Sequence, residues 1–336
     1  MAVLQIGKIN VNILEKLISD YTQVSDRIVL GSGIGEDATV IDMDGSRYLI
    51  AKTDPITHAT AEIGYYAVNI NANDIAAMGG VPLWFLATIL VPEHTEQKEL
   101  ERIFSQISGS CKALGIIYCG GHTEVTSSVT KPVVVGQMLG EVEKTGLKPT
   151  AGAKKGDDLI MTKWAAIEAT SIIANEHGQS LKTHFSDELV TRAQQYLYDP
   201  GISVTLDSRI VSRYPEIHAL HDPTEGGIAT GIYEMAYASH LGMEVYHDRI
   251  PISCETAALC QFYNIDPLGT FASGSLLIAS APDVSGEVIG KLNEHGIKAT
   301  CIGKFMDPAD GIRLIKQAQT IPLPIYQQDE LSKIFG

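Results

Sequence analysis

The stretch from Thr60 to Val91 sets the tightest limit on the fold. Thr60–Met78 reads as one helix, stopped by Gly79-Gly80 and Pro82. Leu83–Val91 is a continuous apolar run and reads as a buried strand. On the helix, Ala67, Asn71, Asp74 and Met78 fall at i, i+4, i+7 and i+11, so Asn71 and Asp74 share a face one turn apart. A solvated stripe would carry Lys and Glu, whereas these two sit among Ile and Ala. A buried aspartate needs a partner, and a metal ion is a natural one.

Strand-like and helix-like segments alternate along the rest of the chain. Asn12–Tyr21 reads as a short helix, and Val40–Ile41 and Tyr48–Lys52 as strands around the turn Asp42-Met43-Asp44-Gly45. Leu100, Ile103, Phe104, Ile107, Cys111 and Leu114 line one face of a helix that ends at Gly115. Lys131–Met138 is a β-branched strand. The polar, Gly/Lys/Pro-rich segment Glu143–Asp158 is the boundary candidate, giving domains 1–150 and 151–325. Beyond it, Leu159–Thr162, Met243–Tyr246, Ser275–Ser280 and Lys298–Gly303 read as strands. Ala165–Ala174, Glu188–Tyr198, Ser203–Arg213, Ile228–Ser239, Cys254–Tyr263 and Val284–Glu294 read as helices. Two domains also suit a chain of 336 residues.

A formal net charge of −15 argues against nucleic-acid binding, which needs a basic surface. For a phosphate ligand it makes bound metal ions the expected source of positive charge. Five cysteines with no C-x-x-C pair fit neither a disulfide framework nor a structural zinc site, and are expected to be buried free thiols. The N-terminus lacks a signal-peptide pattern, and the longest apolar run, Val81–Val91, is short of the ~20 residues of a spanning helix. The expectation is a cytoplasmic protein without a membrane segment.

Four acidic positions stand beside glycines or at the ends of apolar segments. In Gly33-Ile-Gly-Glu-Asp-Ala38, Gly33 and Gly35 either bring backbone amides close to a phosphate or simply turn the chain, and Asp37 is a candidate metal ligand. In Lys52-Thr-Asp-Pro55, Asp54 follows a strand, as a ligand or as an Asx-turn before proline. Asp74 belongs to Asn71-Ala-Asn-Asp74. In Asp222-Pro-Thr-Glu-Gly-Gly227 the carboxylate, hydroxyl and glycines lead into a helix. That makes either an anion site or a helix cap formed by Thr224 or Asp222. Between them, Cys119-Gly-Gly-His-Thr-Glu-Val125 joins two strand-like segments and carries His122 and Glu124.

The ordered motifs GxGEDA, TDP, NxNDIAAMGGxP, GGHTEV, DPTEGG and DPLGTFASGSLL, from about Gly31 to about Ser280, resemble the aminoimidazole ribonucleotide (AIR) synthetase superfamily. That superfamily includes formylglycinamidine synthetase, selenophosphate synthetase, thiamine monophosphate kinase and HypE, and the flanks look HypE-like. The resemblance implies an α+β, two-domain AIR synthetase-like fold. Its N-terminal domain would bind ATP and pair two chains, and its C-terminal domain would also be α/β. It implies that Asp37, Asp54, Asp74 and Asp222 bind Mg²⁺ ions that hold ATP. Asn71 and Asn73, Gly33 and Gly35, Gly120, Gly121, Thr123 and Glu124, and Thr224, Gly226 and Gly227 would then contact the nucleotide. Asp74, Asp222 and His122 are the expected catalytic residues. The implied activity uses ATP to activate an oxygen or phosphate group of a small molecule or of a maturation partner protein. The alternatives are a non-catalytic nucleotide-binding regulator, or a small-molecule kinase like thiamine monophosphate kinase or selenophosphate synthetase.

Three departures qualify this. His122 stands where family members often have an acidic residue, and Glu225 where HypE-type chains have arginine. The segment Asp329–Gly336 shows no Pro-Arg-Ile-Cys; a chain ending there presents no terminal thiol, and HypE-type self-dehydration is then not expected.

Overall fold

The computed structural model describes residues 9, 11–23, 25–31, 33, 35–57 and 61–335. The expected helix start at Thr60, the reading of Met1–Asn10 (Ile9 apart) and Gly336 lie outside them. The described chain divides into two compact units. One holds residues 25–31 and 37–147; the other holds the first helix, residues 33, 35 and 36, and residues 148–335.

The first unit is a six-stranded sheet with two helices. Its strands are β1 (Ile28–Leu30), β2 (Thr39–Asp42), β3 (Arg47–Ile56), β4 (Val81–Val91), β5 (Ile117–Val125) and β6 (Val133–Glu143). They lie in the order β1-β2-β3-β6-β4-β5, antiparallel except for β4 beside β5. With the first helix of the chain, α1 (Val11–Tyr21), assigned to the other unit, the helices here are α2 (Ile63–Ala77) and α3 (Gln97–Leu114). Fourteen residues of α2 are buried, from Ile63 to Ala77 with Tyr65 the exception. A helix without a polar face is stable in such a place because sheet and α3 both cover it. Glycines make the fit possible. Gly136 and Gly140, four apart on β6, face Asn71 and Ile75, four apart on α2. A Cβ at Gly136 would lie 2.8 Å from Asn71 Cγ, and one at Gly140 would meet the Ile75 side chain.

Several expectations change here. β4 is not buried on both faces: Phe85, Ala87, Ile89 and Val91 are buried, while Leu86, Thr88 and Leu90 between them are partly exposed. Asp54 and Pro55 lie inside β3 rather than after it, opposite Gly136 and Val135. Proline is tolerated because β2 pairs β3 only as far as Ala51, leaving the Pro55 nitrogen without a ladder to break. The segment Cys119–Val125 is not a connection but part of the edge strand β5. On α3, Ile103, Ile107 and Cys111 are buried, but Phe104 is 38% exposed.

The second unit is a seven-stranded sheet of β7 (Asp158–Thr162), β8 (Ile217–His221), β9 (Gly242–Tyr246), β10 (Leu277–Ser280), β11 (Ala299–Met306), β12 (Ile312–Lys316) and β13 (Gln319–Pro322). The order is β13-β12-β9-β11-β7-β10-β8, antiparallel except for β12 beside β9. Its helices after α1 are α4 (Ile167–Glu176), α5 (Gly178–Leu181), α6 (Asp187–Gln195), α7 (Thr205–Val211), α8 (Gly227–Ala238), α9 (Cys254–Tyr263), α10 (Pro282–Glu294) and α11 (Ser332–Phe335). Ile228, Ile232 and Met235 form one stripe of α8 and pack with Met161, Ala219, Val245 and Leu277 from the sheet in a single apolar core. All five cysteines are free. Cys111 and Cys260 are buried, and burial pushes both thiols up to about 12; Cys119 and Cys254 are exposed, against expectation. Among the described residues no helix is long and apolar enough to cross a membrane.

Candidate functional site

In the first unit the inward face of β3 carries Ile50, Lys52, Asp54 and Ile56 in strict alternation. Ile50 and Ile56 are buried against the core, which turns Lys52 and Asp54 toward the same side. There α2 presents Asn71 and Asp74. Lys52 Nζ lies 2.9 Å from Asp74 Oδ1 and 3.7 Å from Asp54 Oδ2. Asp37, just ahead of β2, is also buried, and its carboxylate brings an oxygen within 4.8 Å of one from Asp74.

Asn71 holds the two elements together. It is fully buried and donates from Nδ2 to the carbonyl of Ala67, at 2.8 Å, and to that of Asp54, at 3.3 Å. This ties the helix to the strand at the residue whose side chain faces Asp74. Asn73 is also fully buried.

The electrostatics are those of a crowded acidic site. Burial pushes the Asp74 carboxyl up; the neighbouring Asp54 and Asp37 carboxylates add to this and Lys52 opposes it, leaving the group at about 7. Burial disfavours the Lys52 ammonium, but Asp74, Asp54 and Asp37 outweigh it and hold it above the ordinary lysine range. Among the described residues, Asp74 Oδ2 and Asn71 Oδ1 are buried without a hydrogen-bond partner. A buried acceptor left so costs on the order of 1–3 kcal/mol. Hard oxygen donors from several carboxylates, with one buried Asp74 oxygen left unbonded among the described residues, fit Mg²⁺.

Lys52 is the residue that sequence reasoning passed over. Its signal was the parity it shares with Ile50 and Ile56, which places it on the apolar face.

The segment Gly120–Glu124 is not brought to this cluster within its unit. β5 stands three places from β3 in the sheet, about 14 Å at ordinary strand spacing. His122 Nε2 lies 3.5 Å from Glu124 Oε2, and both side chains are exposed. Gly120, Gly121 and Thr123 line a shallow cavity of about 320 Å³ with Phe104, Tyr118 and Cys119.

In the second unit, Asp222 follows β8 directly and is 2% exposed. His221 Nε2 lies 3.0 Å from Glu234 Oε2 on α8. Gly35 packs against the same Glu234, where a Cβ would lie 3.1 Å from that of Glu234. Neither Thr224 nor Asp222 caps α8. The N-cap residue is Gly226, with φ 81°, and its N–H donates to Asp329 Oδ2 at 2.8 Å. Gly227 (φ 71°) sits so close to the Leu268–Thr270 backbone that no side chain fits there.

The comparisons with known proteins bear on the whole chain. The profile of the AIR synthase related protein N-terminal domain matches residues 35–142, and that of the C-terminal domain residues 154–315. The chain belongs to the AIR synthase related protein family. It is 25% identical to a putative hydrogenase expression/formation protein of Methanocaldococcus jannaschii, over 93% of this chain and 94% of that one. It is likewise 25% identical to a carbamoyl dehydratase HypE of Rhizobium leguminosarum, over 80% and 76% of the two chains. A solved structure of the hydrogenase maturation protein HypE in complex with ATP shares the fold, with TM-score 0.69, 20% identity and coverage of 94% and 95%. This AIR synthase related chain is thus similar to HypE proteins in sequence and in architecture. Both units are mixed α and β, as the sequence motifs implied.

Proposed function

We propose that this protein is a Mg²⁺- and ATP-dependent enzyme in which Asp37, Asp54 and Asp74 of the first unit, and Asp222 of the second, are ligands of Mg²⁺ ions. The acceptor is an oxygen or phosphate group of a small molecule or of a maturation partner protein. One observation carries the reading: among the described residues a buried Asp74 carboxylate keeps one oxygen without a donor, beside Asp37 and Asp54, within the part of the chain that matches the family profile. The similarity to an ATP-complexed HypE structure supports the nucleotide.

Bound Mg²⁺ would offset the repulsion between carboxylates and ATP phosphates and polarise the group being activated. The protein's own residues supply rigidity. Lys52 neutralises part of the charge of three carboxylates, orients Asp54 and Asp74, and leaves Asp74 Oδ2 available. Asn71 fixes the strand-to-helix distance, so the donor set is in place before the ligand arrives.

Calorimetric titration with ATP tests this. Wild type is expected to bind ATP with Mg²⁺ and to lose most of that affinity in EDTA, and the Asp74→Ala variant to bind at least tenfold more weakly. Equal ATP affinity with and without chelator sinks the metal-linked site. Tight binding with no turnover in any substrate screen would favour the regulator instead.

The N-terminal unit is also proposed to pair two chains along β5. This nine-residue edge strand exposes Ile117 (61%) and Val125 (62%), a surface that proteins seldom leave uncovered. The double variant Ile117→Lys/Val125→Lys is expected to be a monomer by light scattering where wild type is a dimer, with an unchanged far-UV spectrum. A monomeric wild type removes this proposal and leaves the ATP site untouched.

A further inference from the structure

We infer that the segment Tyr326–Lys333 is a strap whose Asp329 is a positioning residue for the Asp222–Gly227 loop. Asp329 is 5% exposed and lies 103 positions from the residue it holds. One carboxylate oxygen accepts from the Gly226 N–H at 2.8 Å, and the other from the Leu331 N–H, also at 2.8 Å. The strap is fastened on either side of this point. Tyr326 Oη donates to Asp266 Oδ2 at 2.6 Å, and its ring covers Gly269 so closely that a Cβ there would be 2.7 Å from Tyr326 Cγ. The Glu330 N–H donates to the Gly269 carbonyl at 2.9 Å, and Glu330 Oε2 accepts from the Asp266 N–H at 3.1 Å. The turn so gripped is in turn pressed on the loop: the Ala272 N–H donates to the Thr224 carbonyl at 3.2 Å.

The chemistry gives the strap a purpose. The N-terminal end of a helix attracts an anion, and α8 is twelve residues long. In many phosphate sites that anion is the ligand. Here a carboxylate of the same chain takes the Gly226 N–H. Two glycines at positive φ can adopt other conformations easily, and an internal anion limits that freedom. The Asp222 backbone is thereby held on a fixed turn between β8 and α8. Burial, aided by Glu225, pushes the Asp329 carboxyl up to about 6 against the amide hydrogen bonds it accepts, in keeping with a group enclosed for its contacts rather than for solvation. The consequence for a nucleotide is specific. Its phosphates would not take the Gly226 N–H, and must rely on metal and on other donors.

This inference rests on the ATP reading for its functional part, so the test has two separate arms. Hydrogen exchange of the full chain, without nucleotide, is compared for wild type, Asp329→Ala and Asp329→Asn. The Ala variant is expected to lose at least tenfold protection across residues 224–231 while β9 and β11 keep theirs. The Asn variant, retaining one acceptor, is expected to fall between. Sodium formate, a carboxylate small enough for the vacated place, is expected to restore protection in the Ala variant, whereas sodium chloride at equal ionic strength is not. In the second arm, Mg-ATP affinity is expected to fall about tenfold in the Ala variant and to recover with formate. Unchanged exchange at 224–231 overturns the strap. Uniform loss of protection in both variants, without formate rescue, overturns the positioning role and leaves Asp329 a general stability residue. Absence of Mg-ATP binding by wild type refutes the enzyme reading alone, since the exchange arm needs no nucleotide.

Discussion

The Asp74→Asn variant is expected to melt several degrees higher than wild type in EDTA at pH 8, and to have lost Mg²⁺-dependent ATP binding. Both effects come from one charge. The Asp74 carboxyl stands at about 7 in the folded protein against 3.8 in an open chain, with burial the main cause and Asp54 and Asp37 adding to it. A folded value above the unfolded one means that between about pH 4 and 7 the native state keeps a proton that the unfolded state releases. Stability therefore declines as pH rises through that window, and the deficit is complete above 7. Asparagine has the same shape and no charge, and Lys52 keeps Asp54 as a partner, so a gain in stability is expected. Melting curves at pH 8 and at pH 4.5 check the sign, since the advantage should shrink at the lower value. Wild type should gain stability from Mg-ATP and the variant should not, because a bound ion needs the carboxylate ionised. For the same reason Mg²⁺ affinity of wild type should weaken by up to tenfold per pH unit below 7. A variant that is less stable than wild type in EDTA at pH 8 would show that Asp74 holds the fold rather than a ligand.

A buried charge of this kind bears on which parts of the candidate site are legible in the sequence. An aspartate one turn from an asparagine, among Ile and Ala, is legible because no surface pattern accounts for it. Asp37 and Asp54, which the structure brings near Asp74, are marked in the sequence by motif order, although the sequence reads Asp54 as following its strand. The turn residues around Pro55 suggested an end where the ladder to β6 continues through Ile56. A lone lysine in a strand reads as the solvent side of an alternation, and two of the carboxylates that hold Lys52, Asp37 and Asp74, lie outside the local pattern. Cys119-Gly-Gly-His, with neither alternation nor β-branched residues, reads as a connection, yet it forms part of β5 by pairing with β4. β8 went unread because Ile217–His221 is short and follows Pro215 without a clear period. Asp329 is the extreme case, since nothing near it in sequence announces a contact 103 residues away. Local chemistry predicted the elements with strong periodicity, and long-range pairing decided the rest.

The same reasoning makes Gly136 more consequential than its place in a strand suggests. Gly136→Ala is expected to destabilise the first unit by about 1–3 kcal/mol and to weaken Mg-ATP binding at least tenfold. The added methyl would lie 2.8 Å from Asn71 Cγ and 2.9 Å from Phe85 Cε2, both buried and neither at the end of a flexible chain. Relief requires α2 to lift from β6. That movement breaks the Asn71 bond to the Asp54 carbonyl on β3 and carries Asp74 away from Lys52. Packing and charge are coupled here, so stability and affinity should fall together. Gly109→Ala is the matched control: on α3 a Cβ there meets nothing within 4 Å, and alanine is the better helix former, so a small gain in stability with unchanged ATP affinity is expected. Titration calorimetry beside thermal melts of both variants decides the matter. A Gly136→Ala protein that binds Mg-ATP like wild type would mean that the spacing of β6 and α2 does not set the position of Asp74.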